Sequence, residues 1–220
     1  MGRTVSRILV VLLLIAFCAG YAQADEGKRV TIEVIDAPED DPSVTGDLKE
    51  DIWFIAPSAG YVRITLDDVE INATRVEYYG KERRAIITGA VQVIQGENTI
   101  TAEQVEALFD EERYIITGNV HLVQRKADSG EIRVELKAGY LEYFAAEDRI
   151  VAQDDVFFYN QDQEGRADRV TYLEEEGVVT LSGNARLITE QGTWWGNSFT
   201  IDLDNETVVG TGPGRLDLTL

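Results

Sequence analysis

Ala73, Ala102, Ala138, Ala167 and Gly196 hold one position in a pattern written five times, and that recurrence leaves few folds open to this chain. A second marker follows each of them by 16 residues: Gly89, Gly118, Asp154, Gly183 and Gly212. The period is 29 residues, stretched to 36 only between Ala102 and Ala138, where seven extra residues around Lys126-Ala127-Asp128-Ser129-Gly130 fit a longer surface turn. A fixed period of this size marks a repeat architecture, in which one small unit cannot bury its apolar face until its neighbours stack on it.

The apolar positions inside a copy are as regular as the markers. Ile71, Ala73, Val76 and Tyr78 recur as Ile100, Ala102, Val105 and Ala107, then as Leu136, Ala138, Leu141 and Tyr143, and again as Trp194, Gly196, Phe199 and Ile201. Spacings of two, three and two describe strand alternation with one extra residue, which is a bulge or corner. The second half of each copy alternates without interruption, as in Ala85, Ile87, Gly89, Val91 and Val93. Period two with β-branched residues predicts strands. Helical signal is nearly absent, since the best candidate, Ala102 to Asp110, matches the strand template of the other copies. The prediction is an all-β chain, an elongated jelly roll or flattened β-solenoid of about five two-strand repeats, clear over residues 69–220. Small residues at one depth leave either a trough or a tightly packed interior, and the sequence fits both.

The N-terminus has a different character. Arg3 and Arg7 precede an apolar run from Ile8 to Ala19 and then Ala22-Gln23-Ala24, the layout of a cleavable secretory signal over residues 1–24. Cys18 raises lipidation as a competing reading, but Phe17 stands where that signal needs a small residue. Cleavage after Ala24 leaves residues 25–220 as a single exported domain without cysteine, so burial and strand pairing must supply its stability. The formal charge of −20 becomes −22 once Arg3 and Arg7 leave, which argues against nucleic acid or an anionic bilayer as a partner for the bulk surface.

Much of the acid falls in turns, such as Asp110-Glu111-Glu112 and Glu174-Glu175-Glu176, and is read as solvated hairpin tips. Residues 36–51 read as an acidic, turn-rich loop without a calcium-loop signature. Around it Lys28 to Ile35, Ile52 to Ile55 and Tyr61 to Leu66 predict three further strands, either a decayed copy or a cap.

Chemistry has little to stand on. His121, the one histidine, lies on the polar phase of its strand and reads as a surface residue. No metal motif is present, Ser129, Ser182 and Ser198 sit in turns or corners without a nucleophile elbow, and neither catalytic residues nor a cofactor are expected. Trp194-Trp195 supports a second class of function, a carbohydrate-binding or purely structural β-solenoid module; Trp194 as core and Trp195 as an edge cover is the simpler reading. The terminal run Leu216-Asp217-Leu218-Thr219-Leu220 alternates like a strand and has no cap, so it predicts an adhesive assembly edge at Leu216, Leu218 and Leu220 that pairs with a neighbour's Val30 to Ile35.

Ile71-Asn72-Ala73-Thr74-Arg75-Val76, Ile100-Thr101-Ala102-Glu103-Gln104-Val105, Thr88-Gly89-Ala90-Val91, Thr117-Gly118-Asn119-Val120, Ala167-Asp168-Arg169-Val170-Thr171-Tyr172 and Ser182-Gly183-Asn184-Ala185 together resemble the repeating pattern of the OstA-like, LptA-type lipopolysaccharide transport proteins. The third copy departs, with Gln153-Asp154-Asp155-Val156 in place of T-G-x-V. The resemblance, over about residues 60–220, implies a twisted β jelly roll in the periplasm whose hydrophobic groove carries the acyl chains of lipopolysaccharide or a related acylated lipid. It further implies head-to-tail stacking into a bridge between inner- and outer-membrane transport components. On this chain the groove falls on the inward phase: Ile87, Val91, Val93, Ile116, Val120, Leu122, Val156, Leu181 and Leu187.

Overall fold

The computed structural model describes residues 30–66, 68–160 and 163–218; the leader expected over residues 1–24 and the edge residue Leu220 lie outside them. Six short strands open the chain: β1 (Thr31–Ile35), β2 (Val44–Asp47), β3 (Ile52–Ile55), β4 (Tyr61–Leu66), β5 (Val69–Ala73) and β6 (Arg75–Tyr79). Nine long ones follow: β7 (Arg84–Gln95), β8 (Asn98–Leu108), β9 (Arg113–Arg125), β10 (Ile132–Phe144), β11 (Arg149–Asn160), β12 (Gln163–Leu173), β13 (Val178–Thr189), β14 (Gly192–Asp202) and β15 (Thr207–Leu218). All belong to one antiparallel sheet that never closes: from β7 to β15 each strand pairs with its neighbour in sequence, and β1 and β15 lie at its two ends. The stretch considered for a helix is strand β8 followed by a 3₁₀ turn over Phe109–Glu111.

Each long strand is bent at its middle, and the bend is written in the markers. The β7–β8 register shifts between Thr88 and Val91, and β13–β14 shifts likewise between Ser182 and Ala185. Gly89 and Ala90 take φ of +83° and +48°, and Gly183 and Asn184 take +76° and +48°. Two successive left-handed residues turn the strand while keeping its inward phase, so Ile87 and Val91 are both buried on either side of the corner. The alternation read in the second half of a copy therefore holds, but across a bend that the sequence pattern places only in the first half; both strands bend.

Glycine serves these corners for two reasons: the left-handed backbone, and the neighbour that comes against it. A Cβ on Gly118 would meet the side chain of Glu103, and one on Gly183 would meet Asp168. The third copy keeps the same geometry by exchange. Asp154 and Asp155 take φ of +67° and +55°, which aspartate tolerates better than most residues, and the residue facing Asp154 is Gly139. The glycine has moved to the partner strand, leaving room for the Asp154 side chain.

Residues 31–66 are a sixth copy. Gly60 stands 29 residues before Gly89 and has φ of +78°, the value of a corner glycine. Val34 pairs with Val62 as Ala102 pairs with Val91. The corners of this copy are opened by residues 36–43 and 56–60, which split its two long strands into β1 with β2 and β3 with β4. Part of the stretch read as loop, Val44–Asp47, is thus a strand paired with β3. The two openings are tied together: the Asp41 carboxylate accepts hydrogen bonds from the Ser58 N–H at 2.6 Å and the Ser58 hydroxyl at 2.9 Å. These bonds hold its pKa below the usual carboxylate value, the Ser58 N–H contributing most.

Bending every strand at the same level folds the sheet into two facing walls. Inward side chains from both walls merge into one apolar cluster that runs from Ile55 to Ile201. Leu122, Leu181 and Leu187 have no exposed surface, and burying each such side chain stabilises the fold by roughly 1.5–3 kcal/mol.

Candidate functional site

The nine inward positions lie on four strands: Ile87, Val91 and Val93 on β7, Ile116, Val120 and Leu122 on β9, Val156 on β11, and Leu181 and Leu187 on β13. All are buried, none more than 8% exposed. Intervening strands fill the gaps, because Val105 pairs with both Ile87 and Ile116, and Ile100 with both Val93 and Leu122. These positions therefore form one continuous apolar lining from strand to strand, and the small residues Ala102, Ala138, Ala167 and Ala185 belong to the same buried cluster near the corner.

Beyond β13 the interior changes. Gly210 takes the place that Leu181 holds one copy earlier, and Gly214 the place of Ala185. Phe199 leans into the space, its ring 3.0 Å from where a Gly196 Cβ would stand and 3.1 Å from one on Gly210. Trp194 meets Phe199 edge to face, with centroids 6.4 Å apart. A cleft of about 320 Å³ opens here, lined in part by Trp194, Phe199, Gly210, Gly214 and Leu216.

The free rims of the two walls carry polar groups over the apolar floor. One rim bears tyrosines: Tyr114 and Tyr143 pair across β9 and β10 with their rings stacked at 6.3 Å, and Tyr172 lies further along on β12. Burial, and then the charges of Glu174 and Asp204, push the Tyr172 hydroxyl from 10.0 up to about 12. Burial also raises the Glu174 carboxyl, with Asp148 adding to it. A raised acid stabilises the folded state below its unfolded pKa and loses that contribution as pH rises through its folded pKa. The urea midpoint of the protein is therefore expected to fall between about pH 10 and 12 more steeply than that of Tyr172→Phe; parallel profiles would contradict the assignment.

The opposite rim bears amides. Gln95 pairs with Asn98 and Asn98 with Gln124, so the three lie side by side on β7, β8 and β9. They are in phase with the buried Val93, Ile100 and Leu122 and so face the interior. Gln124 Nε2 donates to Asn98 Oδ1 at 3.1 Å, while Gln124 Oε1 and Gln95 Oε1 are buried without a partner. Leaving a buried acceptor unmatched costs about 1–3 kcal/mol. In the sequence only the phase with Val93 and Leu122 points to this row, because amides beside Gly96-Glu97 look like turn residues.

The outer faces hold the remaining candidates. His121 on β9 lies 2.7 Å from Glu135, which Lys137 also contacts at 2.8 Å; it is part of a surface ion-pair group. Burial works to raise the Glu135 pKa, but hydrogen bonds from Lys137 and His121 outweigh it and the net shift is downward. Ser198 Oγ donates to the Leu181 carbonyl at 2.8 Å and secures a corner. Trp195 points outward with Arg186 at 5.7 Å and Arg215 at 5.1 Å from its ring centroid. No group of side chains suited to a metal ion occurs among the described residues. No helix among them is long and apolar enough to cross a membrane.

Among the described residues both ends of the sheet are uncovered. On β15 Val209, Leu216 and Leu218 are exposed, and at the other end so are Val30, Ile32 and Val44.

A bent, repeating, open sheet with a continuous apolar interior is the setting for the comparison with known families. The model of the LptA/(LptD N-terminal domain) LPS transport protein family matches residues 70–207. The chain belongs to this family. The match runs from β5 to the first residue of β15, so it takes in four of the clear copies and the first strand of the fifth, and leaves the interrupted sixth copy outside. No curated protein matches the chain. Among solved structures it is similar to LptH, described as the LptA homologous periplasmic component of the conserved lipopolysaccharide transport device from Pseudomonas aeruginosa. That likeness has 18% identity and a TM-score of 0.37 over 69% of this chain and 94% of the other, too distant to carry argument beside the family match.

Proposed function

We propose that this member of the LPS transport family is a periplasmic carrier, exported by cleavage after Ala24, that shields the acyl chains of lipopolysaccharide or a related amphiphile between its two walls on the way to the outer membrane. Residues 25–220 act as one domain, and its uncovered ends join further copies or the inner- and outer-membrane components of the pathway. One observation carries the reading: the inward apolar rows continue from copy to copy, yet the walls belong to an open sheet and are joined by backbone only at the corner. Walls joined along one line can part at their rims to admit a chain, and each buried methylene then contributes about 0.8 kcal/mol. The glycan-binding alternative has less support, because Trp194 packs against the core and Arg186 and Arg215 already occupy the surroundings of the Trp195 ring.

Photocrosslinking probes at Ile87, Ile116 and Leu181 are expected to label lipopolysaccharide, and probes at the outward neighbours Thr88, Thr117 and Thr180 are not. Equal labelling on both phases would remove the interior from the mechanism.

A further inference from the structure

We propose that the amide row at one rim, Gln95, Asn98 and Gln124, recognises a hydroxyl or amide group on the cargo's acyl chain close to its headgroup. This rests on the lipid-carrier reading and narrows it: the cargo is an amphiphile whose chains carry a polar group near the head, not a plain fatty chain. Three successive strands place an amide at the same depth, facing an interior whose next inward residues, Val93, Ile100 and Leu122, are aliphatic. On β10 Val134 interrupts the row, and on β11 and β12 the paired Asn160 and Gln163 resume it.

The hydrogen bonds within the row leave two of its buried oxygens unmatched. Gln124 is 3% exposed; its Nε2 donates to Asn98, and its Oε1 is unmatched among the described residues. Gln95 Nε2 donates outward to Asp68 at 3.0 Å, which leaves Gln95 Oε1 buried and unmatched. If the Gln124 and Asn98 amides are both turned over, the unmatched group on Gln124 becomes a donor instead of an acceptor. A ligand hydroxyl both donates and accepts, and so does a secondary amide, so either satisfies Gln124 in both settings. A methylene satisfies neither.

The depth of the row decides where on the chain that group must be. From Gln95 to Val91 a wall advances four residues toward the corner, about 13 Å at 3.3 Å per residue. A headgroup left outside the rim puts the first few carbons of its chain beside the amides and the remainder against Val93, Leu122 and the corner residues.

The test compares two probes that differ by one oxygen, 3-hydroxytetradecanoate and tetradecanoate, binding to the full mature protein in competition with a fluorescent fatty acid. The hydroxylated acid is expected to bind at least about fivefold more tightly, as a site built around buried polar groups discriminates against the analogue that leaves them unpaired. Gln124→Leu is expected to erase that preference and to keep or improve binding of tetradecanoate; Gln95→Leu, at the exposed end of the row, is expected to weaken it. Equal affinity for the two acids in the unaltered protein overturns the proposal, and so does a preference that survives both substitutions. Binding of neither acid overturns the lipid reading itself, an outcome distinct from equal binding of both.

Discussion

Gly118→Asp is expected to lower the stability of the folded chain by about 2–4 kcal/mol in urea, from a left-handed backbone and an overfilled corner together. Gly118 has φ of +80°, and a side chain there runs into Cβ and Cγ of Glu103. Glu103→Gly alone is expected to cost about 0.5–1 kcal/mol, the conformational entropy of an added glycine. The two changes together recreate at the second corner what the third corner already has, Gly139 facing Asp154. The pair should therefore lose less than the sum of the single changes, with a coupling of about 1–2 kcal/mol. Simple additivity would mean that the Gly139–Asp154 exchange is not what lets the third copy keep its bend. Gly139→Glu supplies the converse, a destabilised protein that Asp154→Gly rescues.

Most of the fold could be read from the spacing of the markers, and the failures have physical causes. The five copies, the strand phase and the buried set from Ile71 to Ile201 follow from period-two alternation, because one face of every strand is covered and a one-residue slip would expose all of it. Asp154 looked like a broken repeat since sequence shows residue type and not φ; its left-handed backbone and the compensating Gly139 emerge only when the two strands are set side by side. The sixth copy stayed one of two open readings, a decayed copy or a cap, for a related reason. Gly60 kept the 29-residue distance, but the insertion at residues 36–43 moved the small-residue marker out of step, so strand-like segments were legible and their relation to one another was not.

The site divides in the same way. The inward positions of β7, β9, β11 and β13 follow from alternation, whereas their depth and their merging into one buried cluster do not, because those depend on how the bent strands pack. The amide row shows the limit most clearly. Gln95, Asn98 and Gln124 are separated by turns in the chain, and only the register brings them side by side.

At rising protein concentration the chain is expected to sediment as a series of end-to-end species, because the two ends of the sheet are complementary in kind. Among the described residues β15 pairs only with β14 and β1 only with β4, so within them each leaves one side of its backbone without a strand. Natural edge strands are commonly blunted by charge, proline or bulges; β15 has Pro213 near its corner, but beyond it Leu216 and Leu218 are exposed. Arg215 and Asp217 pair with each other at 2.5 Å between them and so leave little net charge to repel a second strand. Joining β15 of one copy to β1 of the next extends the hydrogen-bonded ladder and aligns the two interiors, with the exposed Val30 and Ile32 near the terminal cleft. Such a contact uses different surfaces on the two partners, so it need not close and can grow into rods. A formal charge of −20 on the whole chain opposes growth, and screening over a Debye length of about 10 Å at 0.1 M salt relieves it. Association is therefore expected to strengthen by about tenfold or more between low salt and 0.5 M, the direction screening dictates for like-charged partners. Leu218→Pro, which removes a backbone donor and an apolar contact at the edge, is expected to keep the protein monomeric under the same conditions. If the unaltered chain stays monomeric at every concentration and salt, the edges serve other proteins and not further copies of this one. If Leu218→Pro associates as well as the unaltered chain, the contact lies away from β15.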